Sequence, residues 1–409
     1  MSFPIRVITP DDFPGYVRTD NIAFGSRMSS SEIERTKSEL EFDRSLGAFD
    51  GNEVVATAAA ISFQITLPGN VAVPAAGVTW VSVMPTHRRR GILTSMMRRQ
   101  LQDIRERGEH LAVLLASESL IYGRYGYGAA TIGVDYELET RYGTFRGPVP
   151  AAGRMRVLEP DEALAVIPQV YERVRLGRPG TLSRSESRWQ NELDIHNQPW
   201  EKVKARFHVA YADEAEDTQG YVSYRMQQRW QHGLADYILT IDELIATSPE
   251  AYAALWAYCI DADLVRLIRA GSRPQDEPLR WMLAEPRRFR TTNSSDFLWV
   301  RIVDVIGALS ARRYTNEGRV VLAISDPFVP DNSGTYELVT TGNGSTCRRV
   351  DRDPDLEMDI ADLGSIYLGG VHCTTLAFVG RIREHTPGAL KLADALFLSD
   401  PQPWCNTEF

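Results

Sequence analysis

Residues 77–100 read GVTWVSVMPTHRRRGILTSMMRRQ, a strand, a tight basic loop and a helix in succession. Val78, Thr79, Trp80, Val81 and Val83 are strand formers, and Pro85 ends the strand because it has no N–H to give a ladder. From Leu93 the apolar residues Leu93, Met96, Met97, Leu101 and Ile104 recur at helical spacing, and Gly108 is a natural stop. Between the two elements stands Arg88-Arg89-Arg90-Gly91. Gly91 lets the backbone come close to a ligand, and the first helical turn presents N–H groups and the positive end of its dipole. Three guanidinium groups at that point predict an anion site suited to a pyrophosphate. The plainer alternative, a solvated basic helix start, is weakened by the strand Val81-Ser82-Val83 immediately before it. There is no GxxxxGK[ST], and no GxGxxG follows a strand, so the two common nucleotide loops are excluded.

Towards the N-terminus, Ile5–Ile8 reads as a strand. Thr9-Pro10-Asp11-Asp12 then starts a helix, with Thr9 as N-cap, Pro10 at the first position and acids in the first turn. That helix is expected to run to about Ala23, with a second, charged helix around Ser31–Leu40. Leu46–Phe49, Asp50-Gly51 and Glu53–Thr66 read as strand, hairpin turn and strand. On the other side of the basic loop, Leu111–Ser117 is a short apolar run, as for a buried strand beside the central one. Ile121–Ala129, IYGRYGYGA, follows it. Glycine at this density breaks regular structure and holds tyrosine rings close to the backbone of a loop facing the same cleft. Tyr122 and Tyr125 read most simply as packing anchors.

A second pattern lies 150 residues on. Residues 5–12, IRVITPDD, are echoed at 155–162 by MRVLEPDE, the same strand-to-helix opening. This predicts an internal duplication. At the place of the arginine loop the copy has residues 245–249, IATSP, without glycine or arginine, and Pro249 removes an N–H. The copy is therefore expected to keep the fold and to lack the anion site. From Phe297 the pattern changes again, with strands at Arg319–Ser325 and Thr335–Thr341 and a helix at Ala389–Leu398. Pro401 and Pro403 extend the tail, and Trp404 and Phe409 make it aromatic enough to dock.

Composition sets the outer bounds. A chain of 409 residues has room for two or three domains, and a net charge of −9 speaks against a nucleic-acid partner. The four cysteines form no CxxC pair, which favours a reduced, cytoplasmic protein. The histidines show neither HxxxH nor HExxH spacing, so no metal is expected. The N-terminus has no apolar signal-peptide core, and no apolar run reaches the ~20 residues a membrane span needs.

Taken together, the loop, the tyrosine segment, the duplication and the third part resemble the mycobacterial Eis family of GNAT acetyltransferases. The resemblance rests on V-x-V-x-P-T-H-R-R-R-G at Val81–Gly91, on A-S-E-x-x-I-Y-G-R-[FY]-G-Y-G-x-A-T at Ala116–Thr131, and on the closing Glu408-Phe409. Arg88, Gly91 and Leu93 fill the superfamily's acyl-coenzyme A loop, R/Q-x-x-G-x-G/A, with Leu93 in place of the small last residue. The resemblance implies an α+β protein with tandem GNAT-like domains, each a mixed sheet flanked by helices, plus a sterol-carrier-like C-terminal α/β domain. The implied boundaries are 1–150 for the catalytic domain, 151–292 for the copy without a cofactor site, and 293–409 for the last domain, whose tail reaches the active site. It further implies transfer of acetyl from acetyl-CoA to amines of aminoglycoside-type antibiotics, other polycations or protein lysines, by a homo-hexamer. Secretion without a signal peptide is the implied alternative to a cytoplasmic location.

In the implied site, Val81, Ser82 and Val83 meet the acetyl and pantetheine arm, with Tyr122 and Gly123 beside it. Arg88, Arg89, Arg90, Gly91, Ile92, Leu93 and Thr94 hold the pyrophosphate. Phe24, Trp80 and Glu408 line the acceptor side. Tyr127 is the general acid, and the α-carboxylate of Phe409 is the general base. A binding or signalling protein with an apolar-ligand C-terminal domain is the alternative function, in which the GNAT half is only scaffold. An intact arginine loop beside Tyr127 speaks against it.

Overall fold

A computed structural model describes residues 3–149, 153–193, 205–342 and 344–409. Contacts divide the chain into two compact units. One comprises the chain up to Thr131 with Phe297–Asp400 and Thr407–Phe409; the other comprises Ile132–Asp296 with Pro401–Asn406.

The first unit is built on a seven-stranded mixed sheet in the order Ile5–Val7, Ser45–Asp50, Glu53–Leu67, Val71–Val83, Leu111–Leu115, Leu298–Ile302 and Tyr127–Ala129. All neighbours are antiparallel except Val71–Val83 with Leu111–Leu115. The crossover between those two parallel strands is the helix Ile92–Glu106, as a parallel pair requires. It buries Ile92, Met96, Met97, Leu101 and Ile104 against the sheet. Full burial of such side chains stabilises by about 1.5–3 kcal/mol each. On the N-terminal side, a 3₁₀ turn at Pro10–Asp12 replaces the first turn of the expected helix, and the α-helix proper is Phe13–Phe24. Gly25 in the left-handed region closes it. The central strand starts earlier than its sequence suggests, at Val71, with Pro74 paired to Gln64 inside it.

The same unit holds a five-stranded sheet ordered Gly344–Arg349, Gly334–Thr341, Gly318–Ser325, Leu356–Asp359 and Ile382–Glu384. Helices Val305–Ala311, Ile360–Tyr367 and Ala389–Phe397 accompany it.

The second unit repeats the first in outline. Its sheet runs Arg290–Asp296, Ile132–Glu139, Val265–Arg273, Tyr237–Ala246, Thr218–Gln227, Arg206–Ala212 and Arg154–Leu158. The parallel pair is Tyr237–Ala246 with Val265–Arg273, joined through the helix Pro249–Ile260, whose N-cap Ser248 accepts from the Ala251 N–H at 3.2 Å. The tail docks here: Trp404 is buried, donates from Nε1 to the Ser272 carbonyl at 2.7 Å and from its backbone N–H to Pro179 at 2.8 Å.

Strand membership crosses the expected domain limits. Ile132–Glu139 belongs to the second sheet and Leu298–Ile302 to the first. The limit at 150 lies outside the described residues, and that at 292 falls within the strand Arg290–Asp296.

Candidate active site

The cleft begins where two strands part. Val71–Val83 and Leu111–Leu115 pair only at Ala75, Ala76 and Gly77, opposite Leu111, Ala112 and Val113, among the described residues. Past Gly77 the central strand keeps its other neighbour, Glu53–Leu67, and presents an open edge. A bulge interrupts that ladder: Thr57 faces Ser82 and Ala59 faces Thr79, leaving Trp80 and Val81 opposite Ala58. Trp80 has φ +53°, costly for a bulky residue and held by its surroundings. Thr57 donates from Oγ1 to the Trp80 carbonyl at 2.6 Å and lies 2.6 Å from the Ser82 Oγ.

The larger cavity, about 730 Å³, lies along this edge. Val81, Ser82, Val83, Arg88, Arg89, Gly91, Ile92, Leu93 and Thr94 line it. Gly91 is the N-cap of Ile92–Glu106 with φ +79°, and a β-carbon there would meet open space. The arginines divide their work. Arg88 braces the loop, donating to the carbonyls of Val83 at 3.3 Å and Ala23 at 3.1 Å. Arg89 lines the cavity from the left-handed region, at φ +64°. Arg90 is not among the lining residues; its guanidinium stands 5.9 Å over the Phe3 ring. Gly123 is also outside the lining, whereas Ser117, Glu118, Arg124 and Tyr125 are in it. Tyr125 joins the helix start through a 3.3 Å contact with the Thr94 hydroxyl. Arg124 and Tyr125 belong to the glycine-rich segment Ile121–Ala129, and Ser117 and Glu118 precede it; glycine density cannot say which side of a loop faces inward.

A smaller cavity of about 300 Å³ adjoins it, sharing Phe24, Val81 and Ser117. Its walls bring together Trp80, Tyr122 and Phe409 with a residue that sequence reasoning missed, Asp20. The Phe409 ring packs 5.0 Å from that of Phe63. Burial pushes the Asp20 carboxyl up to about 6, against a hydrogen bond from Ser82 that lowers it. Its Oδ1 is buried with no hydrogen-bond partner among the described residues. A signal existed: Asp20 continues the inward stripe Phe13, Tyr16, Val17 of its helix, where an acid is out of pattern. Glu408 is exposed and lines neither cavity.

Tyr127 sits deeper than expected, 1% exposed and outside the lining of both cavities. It faces Arg301 across the strands, and its ring lies 6.1 Å from that of Tyr122. Its hydroxyl is buried without a hydrogen-bond partner among the described residues. Burial raises its pKa well above the ordinary phenol value, with Arg301 opposing. Arg301 is itself fully buried and paired with Asp326 at 2.6 Å. Tyr122 is likewise raised by burial, against a hydrogen bond from Ser117 that lowers it.

Residues 4–130 match the family described as an acetyltransferase (GNAT) domain, and residues 180–302 match a second family so described. Residues 305–406 match a sterol carrier protein domain. Over 404 residues, 96% of each chain, the sequence is 33% identical to the N-acetyltransferase Eis of Mycobacterium tuberculosis. The chain belongs to the Eis family of GNAT N-acetyltransferases. An N-acetyltransferase of Streptomyces avermitilis is 40% identical over 408 residues, 99% of both chains. The crystal structure of Eis1 from Mycobacterium abscessus matches with a TM-score of 0.87 and 34% identity, covering 99% of this chain and 100% of that one. The Eis architecture of tandem GNAT domains and a sterol-carrier-like C-terminal domain in an α+β chain is therefore present as expected. So is the enzyme class, since GNAT acetyltransferases use acetyl-CoA. Among the described residues no group of three or more His, Cys, Asp or Glu could hold a metal ion, and no helix is long and apolar enough to cross a membrane.

Proposed function

We propose that this Eis-family enzyme acetylates amines of polycationic acceptors, aminoglycoside-type molecules and lysine side chains, by direct transfer in a ternary complex. The reading is carried by one observation: Phe409 lines the acceptor cavity that adjoins the open strand edge and arginine loop. Residues 1–150 are the catalytic domain, 151–292 the copy without a cofactor site, and 293–409 supply the tail. Arg88, Arg89 and Arg90 with the amides of Gly91 to Thr94 hold the pyrophosphate; Arg90 acts at the rim and Arg88 through the loop it braces. The backbone of Val81, Ser82 and Val83 orients the pantetheine arm and acetyl group, with Tyr122 and Gly123 on its far side. Phe24 and Trp80 face the acceptor in its cavity, and Glu408, outside both cavities, meets only the part of an acceptor that extends beyond it.

The Phe409 carboxylate takes a proton from the acceptor ammonium, directly or through a water. The freed nitrogen attacks the thioester carbon, an N–C bond forms, the C–S bond breaks, and Tyr127 gives its proton to the departing sulfur. The nitrogen, positive after attack, sheds its second proton, which restores the Tyr127 hydroxyl through water. The buried Tyr127 hydroxyl supports this role, because an unpaired buried donor is costly unless a ligand supplies the partner. Assembly as a homo-hexamer in the cytoplasm belongs to the same reading, and sedimentation of the purified chain tests the assembly. A thiol-release assay with acetyl-CoA and a panel of amines tests the reaction. Release with kanamycin and lysine-rich peptides, weakening as salt rises, is the expected result. Absence of release with every amine overturns it.

A further inference from the structure

Asp20 has no part in the chemistry just described. It stands on the inward face of Phe13–Phe24 and lines the acceptor cavity with Phe24, Trp80, Tyr122 and Phe409. Its carboxylate is steadied on one side only, by the Ser82 hydroxyl, which Thr57 contacts in turn at 2.6 Å. The other oxygen, Oδ1, is buried with no partner among the described residues. Among the described residues no cation acts on the Asp20 carboxyl, and two arginines of this region are engaged elsewhere. Arg18 of the same helix pairs with Glu53 at 2.8 Å, and Arg88 donates to Val83 and Ala23. A partly buried carboxylate without a cation is costly, and removing water from it raises the cost. A carboxylate that shares its cavity with aromatic rings suits an alkylammonium ion, which an ion pair and cation–π attraction recognise together.

We propose that Asp20 is the acceptor-binding carboxylate of this enzyme: its Oδ1 receives an ammonium group of the acceptor between the rings of Trp80 and Phe409. The proposal rests on the acceptor entering this cavity, as in the function given above. It assigns Asp20 to acceptor selection and leaves proton removal to the Phe409 carboxylate.

Titration calorimetry of spermidine into the parent and into Asp20→Asn, without acetyl-CoA, tests it apart from turnover. A charge-assisted hydrogen bond of this kind corresponds to about a 10- to 100-fold weaker spermidine affinity in Asp20→Asn. Asp20→Glu recovers part of the loss, and acetyl-CoA affinity stays within about twofold in both. In turnover, the preference for spermidine over aniline, as a ratio of kcat/KM values, falls by the same factor. Where Asn does not fold, Asp20→Ala carries the same measurement. Equal spermidine affinity in parent and variant overturns the proposal, as does a parent that binds no spermidine. An Asp20-dependent spermidine affinity in a parent that releases no thiol overturns the transferase reading instead, and the pairing stands.

Discussion

The ring of Phe409 lies over the backbone of Gly77. A β-carbon on that glycine would come within 3.0 Å of the Phe409 Cε2 and would collide with the ring of Phe63. Gly77 is also the last residue of its strand to pair, with Val113, before the parallel strands part. Gly77→Ala therefore moves Phe409 without touching the arginine loop. Steady-state kinetics should show turnover down by about 100-fold, the scale of a displacement near 1 Å, with the KM for acetyl-CoA within about twofold. Unchanged turnover would separate Phe409 from the chemistry.

The tail itself divides two candidate bases. If the Phe409 α-carboxylate removes the proton, deletion of Phe409 and a short added C-terminal extension each abolish transfer, whereas Glu408→Gln keeps most of it. An extended enzyme with normal turnover sinks the assignment, because the added residue turns that carboxylate into a neutral amide. Loss in Glu408→Gln alone moves the role to the side chain.

Arg89 is the arginine to test first, because Arg88 also braces Val83 and Ala23. Arg89→Ala should raise the KM for acetyl-CoA by about tenfold or more, the weight of a charge-assisted contact, with the melting temperature little changed. A normal KM in this variant would place the phosphates elsewhere.

Tyr127→Phe removes a hydroxyl with no hydrogen-bond partner among the described residues, so its melting temperature should equal or exceed the parent's. Turnover should fall by about 10²–10⁴-fold while acetyl-CoA still binds. Tyr122→Phe should be milder. The reverse order of severity would make Tyr122, which lines the acceptor cavity, the proton donor.

Asp20 also predicts a pH dependence of stability. Its folded pKa is raised to about 6 from an ordinary carboxyl value of 3.8, by burial against the Ser82 hydrogen bond. Tyr16 faces it from its own helix, and Phe409 shares its cavity. A raised carboxyl pKa means the folded state holds the proton more tightly. That contribution is full below pH 3.8 and is lost as pH rises through about 6. Asp20→Asn should therefore melt above the parent at pH 8, by the equivalent of ~1–2 kcal/mol after solvent screening, and the gap should close by pH 4. A variant less stable than the parent at pH 8 would mean that Asp20 is satisfied in a way that its geometry does not reveal.

What the sequence disclosed was local. Pro85, Gly91 and the spacing of Leu93, Met96, Met97, Leu101 and Ile104 mark a strand end, a cap and a helix face within a few residues of one another, and the elements stand accordingly. Ser248 and Pro249 announce their helix in the same way. The open edge itself is not local. It depends on where the pairing of Val71–Val83 with Leu111–Leu115 stops, and on a bulge at Trp80 and Val81 that no propensity marks. The burial of Tyr127 depends on Arg301, 174 positions away in numbering, sitting beside it in the sheet. Pairing partners of a strand are chosen by the whole fold, so Leu298–Ile302 reads equally well as a neighbour of either sheet.

That strand also sets an order of events during synthesis. Leu298–Ile302 fills the place between Leu111–Leu115 and Tyr127–Ala129, so the first sheet stays split until residue 302 has left the ribosome. At about 5–20 residues per second the wait after Ala129 is on the order of ten to thirty seconds. Throughout it, the nascent chain carries two unpaired apolar strand edges, the kind of surface that chaperones shield and that aggregates form on. A fragment ending near Thr131 would hold the arginine loop, the tyrosine segment and Asp20, and would still be missing the strand that closes the sheet between them.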